Sequence, residues 1–332
     1  MRKVPVLVTG GAGYIGSHAV LALKDAGWPA AVIDDLSNGT REIVPADVPF
    51  FEGSVADRAL VDRIFAEQGI GAIMHFAGSI VVPESVERPL DYYRNNTVAS
   101  HALISAAVGA GVRHIVFSST AAVYGAPERV PIGEEDAKVP INPYGASKLM
   151  TERMLEDASA AHPFNYGALR YFNVAGADPR GRAGQIGKGS THLIKVAVEA
   201  AVGKRGHVTV YGTDYPTPDG TCIRDYIHVS DLAAAHVAAL ERLIDRPGEN
   251  VVMNCGYGQG LSVLEVLDSV DRVNGTPVPR QLGDRRAGDP PQLVASNTRM
   301  LETLDWRPAY ADIDMIVAHA LSWERKLARV HA

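Results

Sequence analysis

The stretch "VPVLVTGGAGYIGSHAVLALKDAG" (4–27) narrows the choice of fold more than any other part of the chain. A short apolar, β-rich run leads straight into a turn with glycines at 10, 13 and 16, and a helical pattern follows at once. A turn this tight needs backbone angles that glycine adopts freely, and bare backbone lets a bulky anion come close. The helix behind it aims its unpaired N–H groups and the positive end of its dipole at that anion. A lone glycine triplet is a weak signal. Between a strand and a helix, it is what a dinucleotide pyrophosphate requires. Gly10, Gly13, Tyr14, Ile15 and Gly16 are therefore candidate cofactor contacts. The next β-rich run, "AAVID" (30–34), ends in Asp34, 18 residues past Gly16. A carboxylate there accepts hydrogen bonds from both ribose hydroxyls and repels a 2′-phosphate, which favours NAD over NADP. The plainer reading, an aspartate that only starts the turn "DDLSNG", stays open.

The same alternation continues. Further apolar runs at 72–78, 113–120 and 165–173 are separated by helical stretches such as "DRALVDRIFAEQG" and "NNTVASHALISAAVGAG". Strands that are apolar throughout, taking turns with helices, predict a parallel sheet covered on both faces. From about residue 174 the rhythm loosens, and Gly, Pro and Asp gather at 176–189 and 212–221, with helices expected at 191–203, 230–244, 262–274 and 312–328. The fold class is α/β: a Rossmann-like doubly wound sheet (1–175) with a smaller α/β substrate-binding domain (176–332). The segment around 224–245 is able to pack back onto the first domain.

Composition excludes several other classes. A net charge of −6 disfavours broad nucleic-acid or anionic-membrane binding. No run reaches the ~18 apolar residues of a membrane span, and the N-terminus does not read as a signal peptide. Cys222 and Cys255 form no CxxC pair, there is no HExxH, and the histidines suggest no metal site. A reducing cytoplasm is the default setting for such a chain.

The run "FSSTAAVYG" leaves Ser118, Ser119 and Thr120 at the carboxyl edge of the sheet, where doubly wound folds bind ligands. A helix then opens with "NPYGASKLM" (142–150), which puts Tyr144 and Lys148 four positions apart on one face. Such a pair alone means little. Behind a dinucleotide turn and a strand-end hydroxyl, it resembles the extended form of the short-chain dehydrogenase/reductase superfamily, in which Tyr is the acid/base and Lys assists it. A phenol working near neutrality must favour phenolate by ~4 kcal/mol. A lysine ~5 Å away contributes ~3 kcal/mol at an effective dielectric of 20 and far less in open water. The mechanism needs a dry cleft, with the charge of the nicotinamide supplying the remainder.

The blocks "YGTDYPTPDGTCIRDYIHVSDLAAAH" (211–236), "HFAG…ESVERPLDYYRNN" (75–96), "LRYFNVAGA" (169–177) and "RRAGDPP" (285–291) resemble UDP-glucose (UDP-galactose) 4-epimerases along essentially the whole chain. That resemblance implies NAD as a bound, regenerated cofactor and UDP-galactose and UDP-glucose as substrates. It implies further cofactor contacts from Asn38, Ser54, Val55, Phe76, Ala77, Gly78, Asn95, Ser118, Lys148 and Phe172. Thr120 would bond the sugar 4-oxygen, and Asn173, Arg224, Arg286 and Asp289 would grip the uridine diphosphate, with Tyr211 near uracil. His192 and Leu193 line the same pocket. Ala121 and Ala122 stand where related sugar dehydratases carry an acidic pair, and neither can transfer a proton. Ser54 and Ile80 depart from the acidic and lysine residues many relatives have there. Leu293, at the gatekeeper position, is intermediate between a large tyrosine and a small residue. A homodimer through helices near 91–108 and 144–160 is implied as well. The alternatives are an epimerase of another UDP-sugar (UDP-GlcNAc, a pentose or a uronate) and a non-catalytic NAD-binding regulator. His75 and His228 read as packed, structural residues.

Overall fold

The alternation resolves into one wholly parallel seven-stranded sheet and a set of smaller sheets beside it. The computed structural model describes residues 3–186, 190–286 and 289–330. In chain order the strands are β1 (Val6–Thr9), β2 (Ala30–Asp34), β3 (Phe50–Glu52), β4 (Ala72–His75), β5 (His114–Thr120), β6 (Asn165–Tyr171), β7 (Asn173–Ala175), β8 (Val208–Tyr211), β9 (Ile223–His228), β10 (Val251–Cys255), β11 (Gly260–Ser262), β12 (Arg280–Gly283) and β13 (Gln292–Leu293). The large sheet has the order β10-β6-β5-β4-β1-β2-β3, and each neighbouring pair is parallel. Strand order reverses between β1 and β4, so a crevice opens outside their carboxyl ends.

The apolar strands are buried on both faces, as their composition requires. Val6 and Val8 face one layer with the helices Tyr14–Asp25 and Val229–Asp245, and Leu7 faces the other with the helices Arg58–Gln68, Ala99–Ala110 and Pro143–Ala161. The sheet is not confined to residues 1–175. Its outermost strand is β10, paired with β6 in register Val251↔Gly167 to Cys255↔Tyr171, and the helix Val229–Asp245 packs against the helix Tyr14–Asp25. Neither β3 nor β10 was among the expected strands.

A separate core formed by Ile194, Val198, Val208, Tyr226, Val266 and Val317 serves the remainder. Its central strand β9 is flanked by β11 and β13 and also pairs β7. A small cluster of Val123, Tyr124 and Ile132, with Phe172 and Leu293 packed on it, joins the two parts. No helix among the described residues is long and apolar enough to cross a membrane, and both cysteines are free and buried.

Candidate active site

The crevice between β1 and β4 is built by glycine. Gly10 takes a positive φ of 69°, and a Cβ on it would sit 2.7 Å from the Ala77 nitrogen. At Gly16 a Cβ would fall 2.2 Å from the Gly10 carbonyl oxygen. Any side chain at either position would close the turn. The helix Tyr14–Asp25 starts from Gly13 with no side-chain cap and no acid in its first turn. Its first amides are therefore left for an outside acceptor. Phe76, Ala77 and Gly78 follow β4 along the other wall, with the Phe76 amide donating to the Thr9 carbonyl at 3.0 Å. The Tyr14 hydroxyl donates to the Gly176 carbonyl at 2.7 Å and ties this helix to the chain leaving β7.

Asp34 is 8% exposed at the end of β2. One carboxylate oxygen accepts from the Ala12 amide and the other from the Leu36 amide, each at 2.9 Å. Burial pushes its carboxyl up, against the pull of those amides. Each oxygen keeps a second lone pair, so the turn-forming and ribose-binding readings are compatible. Uncapped amides, a cradle only glycine leaves open and a half-satisfied carboxylate together fit NAD. Asp34→Asn would turn one acceptor toward the Ala12 or Leu36 amide as a donor. We expect NAD affinity to fall about tenfold, the worth of one charge-assisted hydrogen bond. A fluorescence titration checks this, and unchanged affinity would leave Asp34 a turn residue only. Among the other candidates, Val55 is buried after β3, while Asn38 and Ser54 are exposed, and the Ser54 hydroxyl accepts from the Ala56 amide at 3.2 Å.

The second half of the site lies at the end of β5. Asn142 caps the helix Pro143–Ala161 by accepting from the Gly145 amide at 2.8 Å, with Pro143 in the first turn. A Cβ at Gly145 would approach the Ala122 carbonyl to 2.5 Å, so glycine there lets the helix start sit against the turn after Thr120. Tyr144 and Lys148 are both buried. The Lys148 ammonium donates to the Ser118 carbonyl at 3.0 Å and lies 5.0 Å from the Phe117 ring centroid. Among the described residues no carboxylate pairs with it. Burial lowers it to about 8. Burial likewise pushes the Tyr144 phenol up, and only its bond with the Thr120 side chain pulls it down. In the chain by itself, then, desolvation outweighs the pull of Thr120 at the phenol.

The diphosphate candidates converge at the other wall. The Arg286 Nε donates to Asp289 at 2.8 Å, and the Arg224 guanidinium lies 3.7 Å from the same carboxylate. Arg286 also stacks 5.1 Å from the Tyr211 ring centroid, at the end of β8. Leu293 pairs with Arg224 between β13 and β9, and Asn173 opens β7. His192 sits at the start of the helix Leu193–Ala201, which has no side-chain cap. Residues 287–288 of the "RRAGDPP" block lie outside the described residues. Among the described residues no three His, Cys, Asp or Glu side chains converge as a metal site.

The sequence named Asn95, His75 and His228 but not Asn96 or Tyr171. Asn95 is exposed and donates to the Ser79 hydroxyl at 2.9 Å. Its neighbour Asn96 is buried: its side-chain oxygen accepts from the Ser79 amide at 2.7 Å and its nitrogen donates to Ser147 Oγ at 3.0 Å. A π-helical stretch, Tyr93–Val98, turns Asn96 inward, and one inserted residue leaves no mark on a helical pattern. Tyr171 bonds the Ser118 hydroxyl. His75 is locked between Thr9 Oγ1 (2.7 Å) and Ser100 Oγ (2.9 Å), with burial lowering it to about 3. His228 accepts from the Ser230 amide at 3.0 Å and caps the following helix.

A parallel doubly wound sheet with a glycine cradle, a strand-end Thr and a Tyr-x-x-x-Lys helix defines a class of dinucleotide-dependent enzymes. The chain belongs to the NAD dependent epimerase/dehydratase family, whose sequence model matches residues 6–256. It is 62% identical over 322 residues to a UDP-glucose 4-epimerase of Azospirillum brasilense, covering 97% of this chain and 92% of the relative. The crystal structure of UDP-glucose 4-epimerase from Brucella ovis in complex with NAD matches with a TM-score of 0.93 and 45% identity, over 96% of this chain and 98% of that one. The UDP-glucose 4-epimerase from Bifidobacterium longum in complex with NAD+ and UDP matches with a TM-score of 0.91 and 39% identity, over 97% and 98%.

Proposed function

We propose that the chain interconverts UDP-galactose and UDP-glucose at a single site holding NAD, with Tyr144 as the acid/base. The observation that carries this reading is the meeting of Thr120, Tyr144 and Lys148 at one strand edge beside the dinucleotide cradle, with Lys148 Nζ 3.7 Å from where a Gly78 Cβ would sit. Held in the glycine cradle, NAD would supply reversible hydride transfer at sugar C4, the chemistry that allows that carbon to be inverted. Tyr144 Oη removes the proton from the 4-hydroxyl and later gives it back, while the Thr120 hydroxyl orients that oxygen. Lys148 holds positive charge beside the phenol. Arg224 and Arg286 bind the diphosphate by leaving Asp289 in part for phosphate oxygens, a match of guanidinium forks to anions. Ala121 and Ala122, in the turn after Thr120, supply no acid or base, so the 4-keto sugar keeps its hydroxyls instead of losing water. A bare NAD-binding regulator has no use for a buried Tyr–Lys pair.

Incubation with UDP-galactose, with sugar analysis and near-ultraviolet absorbance, tests this reading. UDP-glucose should accumulate without stoichiometric NADH in solution. Steady NADH release would mark a net dehydrogenase, and no reaction would overturn the proposal. Leu293 packs with Phe172 against Val123, Tyr124 and Ile132. Its intermediate size makes UDP-GlcNAc the second substrate to assay.

We assign NAD to the seven-stranded unit, including residues 229–255, and the UDP-sugar to the remainder. Two buried free thiols suit the cytoplasm. We also propose a homodimer. Val86, Leu90, Val98 and Met150 are 62%, 78%, 59% and 45% exposed on adjoining helices, an apolar strip that water does not favour. Light scattering should report a dimer for the parent and a monomer for a Leu90→Glu/Val98→Glu variant. A monomeric parent would remove the proposal.

A further inference from the structure

The Tyr144–Lys148 row has a third member. Glu152 lies one further turn along the helix Pro143–Ala161, so phenol, ammonium and carboxylate stand on one face. Three consecutive residues of β5 engage the three of them. The Ser118 carbonyl accepts from Lys148, the Ser119 hydroxyl donates to Glu152, and the Thr120 side chain lies beside the Tyr144 phenol and pulls it down. Unlike Lys148, Glu152 has a partner of opposite charge. Arg170 donates to it from Nε at 2.9 Å and from Nη2 at 2.6 Å, and the two side chains are 4% and 7% exposed.

Arg170 is also the hub of a wider polar knot. It is paired with Ser119 across β5–β6 and with Asn254 across β6–β10. Its Nη1 donates to the Tyr124 hydroxyl at 2.9 Å and to the Glu134 carbonyl at 3.2 Å. Tyr124 in turn donates to the Asn254 side chain at 2.7 Å, and the Asn254 amide donates to the Glu134 carboxylate at 2.9 Å. The short turn Ala121–Tyr124 is thereby fixed at its far end by Tyr124, while its near end carries Thr120.

We propose that Glu152 and Arg170 are positioning residues for the acid/base step. Their buried pair sets where the Tyr144 helix rests along β5 and so sets the approach of the phenol to the Thr120 hydroxyl. This rests on the reading of Tyr144 given above. A buried ion pair is poor evidence for stability, because an apolar pair of similar volume often serves as well. What an apolar pair lacks is direction: a guanidinium fork on a carboxylate fixes both distance and angle. An error on the order of 1 Å at a reacting group costs up to ~10²-fold in rate.

Two variants separate positioning from mere support. Glu152→Asp keeps the charge but shortens the reach by one methylene. Glu152→Leu/Arg170→Met replaces the pair with apolar side chains. We expect both to fold, to bind UDP as the parent does by calorimetry, and to keep KM for UDP-galactose. We expect kcat to fall about tenfold in the first and about 10–100-fold in the second. Parental kcat in either folded variant would overturn the positioning role. Should the double variant fail to fold, Glu152→Asp decides alone. An inactive parent would defeat the epimerase reading instead, while an active parent with fully active variants would defeat only this inference.

Discussion

Replacing Tyr144 with Phe is expected to lower turnover of UDP-galactose by ~10²–10⁴, the usual worth of a positioned acid/base. NAD and UDP should still bind, because the ring, its burial and both arginines are unchanged. The fold should tolerate the change as well, since only one hydroxyl is lost from a packed ring. The loss belongs to proton transfer for a reason visible in the site. Burial pushes the phenol up rather than down, so Tyr144 is poised as a proton donor until positive charge accumulates around it. An ammonium ~5 Å away offers ~3 kcal/mol at an effective dielectric of 20. That is less than the ~4 kcal/mol separating an ordinary phenol from neutrality, before any cost of burial is added. The chain's own residues therefore leave the phenol above its ordinary value, and the site is complete only when loaded. The check is a comparison of kcat, bound NAD and UDP affinity between parent and variant. Near-parental kcat with intact binding would remove Tyr144 from the mechanism.

The parts of this arrangement that depend on local pattern were readable in advance. Gly10 and Gly16 announce their crevice because no other residue fits a backbone approach so close. Tyr144 and Lys148 declare a shared face through helical period alone. The parts set by long-range pairing were not readable. β10 adds to β6 from some 80 positions away (Val251↔Gly167), and nothing within "VVMNC" names that partner. A comparable separation, 65 positions, hides the union of Asp289 with Arg224. One missed feature did leave a trace. Arg170 sits inside "NYGALRYFN", a strand read as apolar and buried on both faces, and a guanidinium there has to find a carboxylate. Glu152, on the Tyr144 face, was the available one.

Replacing Lys148 with Met is expected to act in two opposite directions, making the cofactor-free protein more stable at pH 7 while cutting turnover by about 10²-fold, the rate equivalent of the ~3 kcal/mol the ammonium offers the phenol. At 3% exposure Lys148 is a buried cation whose compensation is one carbonyl and one ring face. Burial lowers it from 10.5 to about 8. Because the folded value lies below the unfolded one, the unfolded chain holds more protons between about pH 8 and 10.5, and parental stability rises with pH across that window. Below about pH 8 the full penalty applies, about 3 kcal/mol for a displacement of this size. Losing the contacts to Ser118 and Phe117 takes back about 1 kcal/mol, which leaves the Met variant ahead by about 2 kcal/mol at pH 7. That lead should vanish near pH 10, where the remaining penalty equals the about 1 kcal/mol of lost contacts. Urea unfolding at pH 7 and at pH 10 measures both points. A variant no more stable than its parent at pH 7 would mean that the fold meets the demands of this charge without a bound ligand. The opposite outcome would identify Lys148 as a residue held in place against the interest of the fold, at the one position where a phenol needs a neighbouring cation.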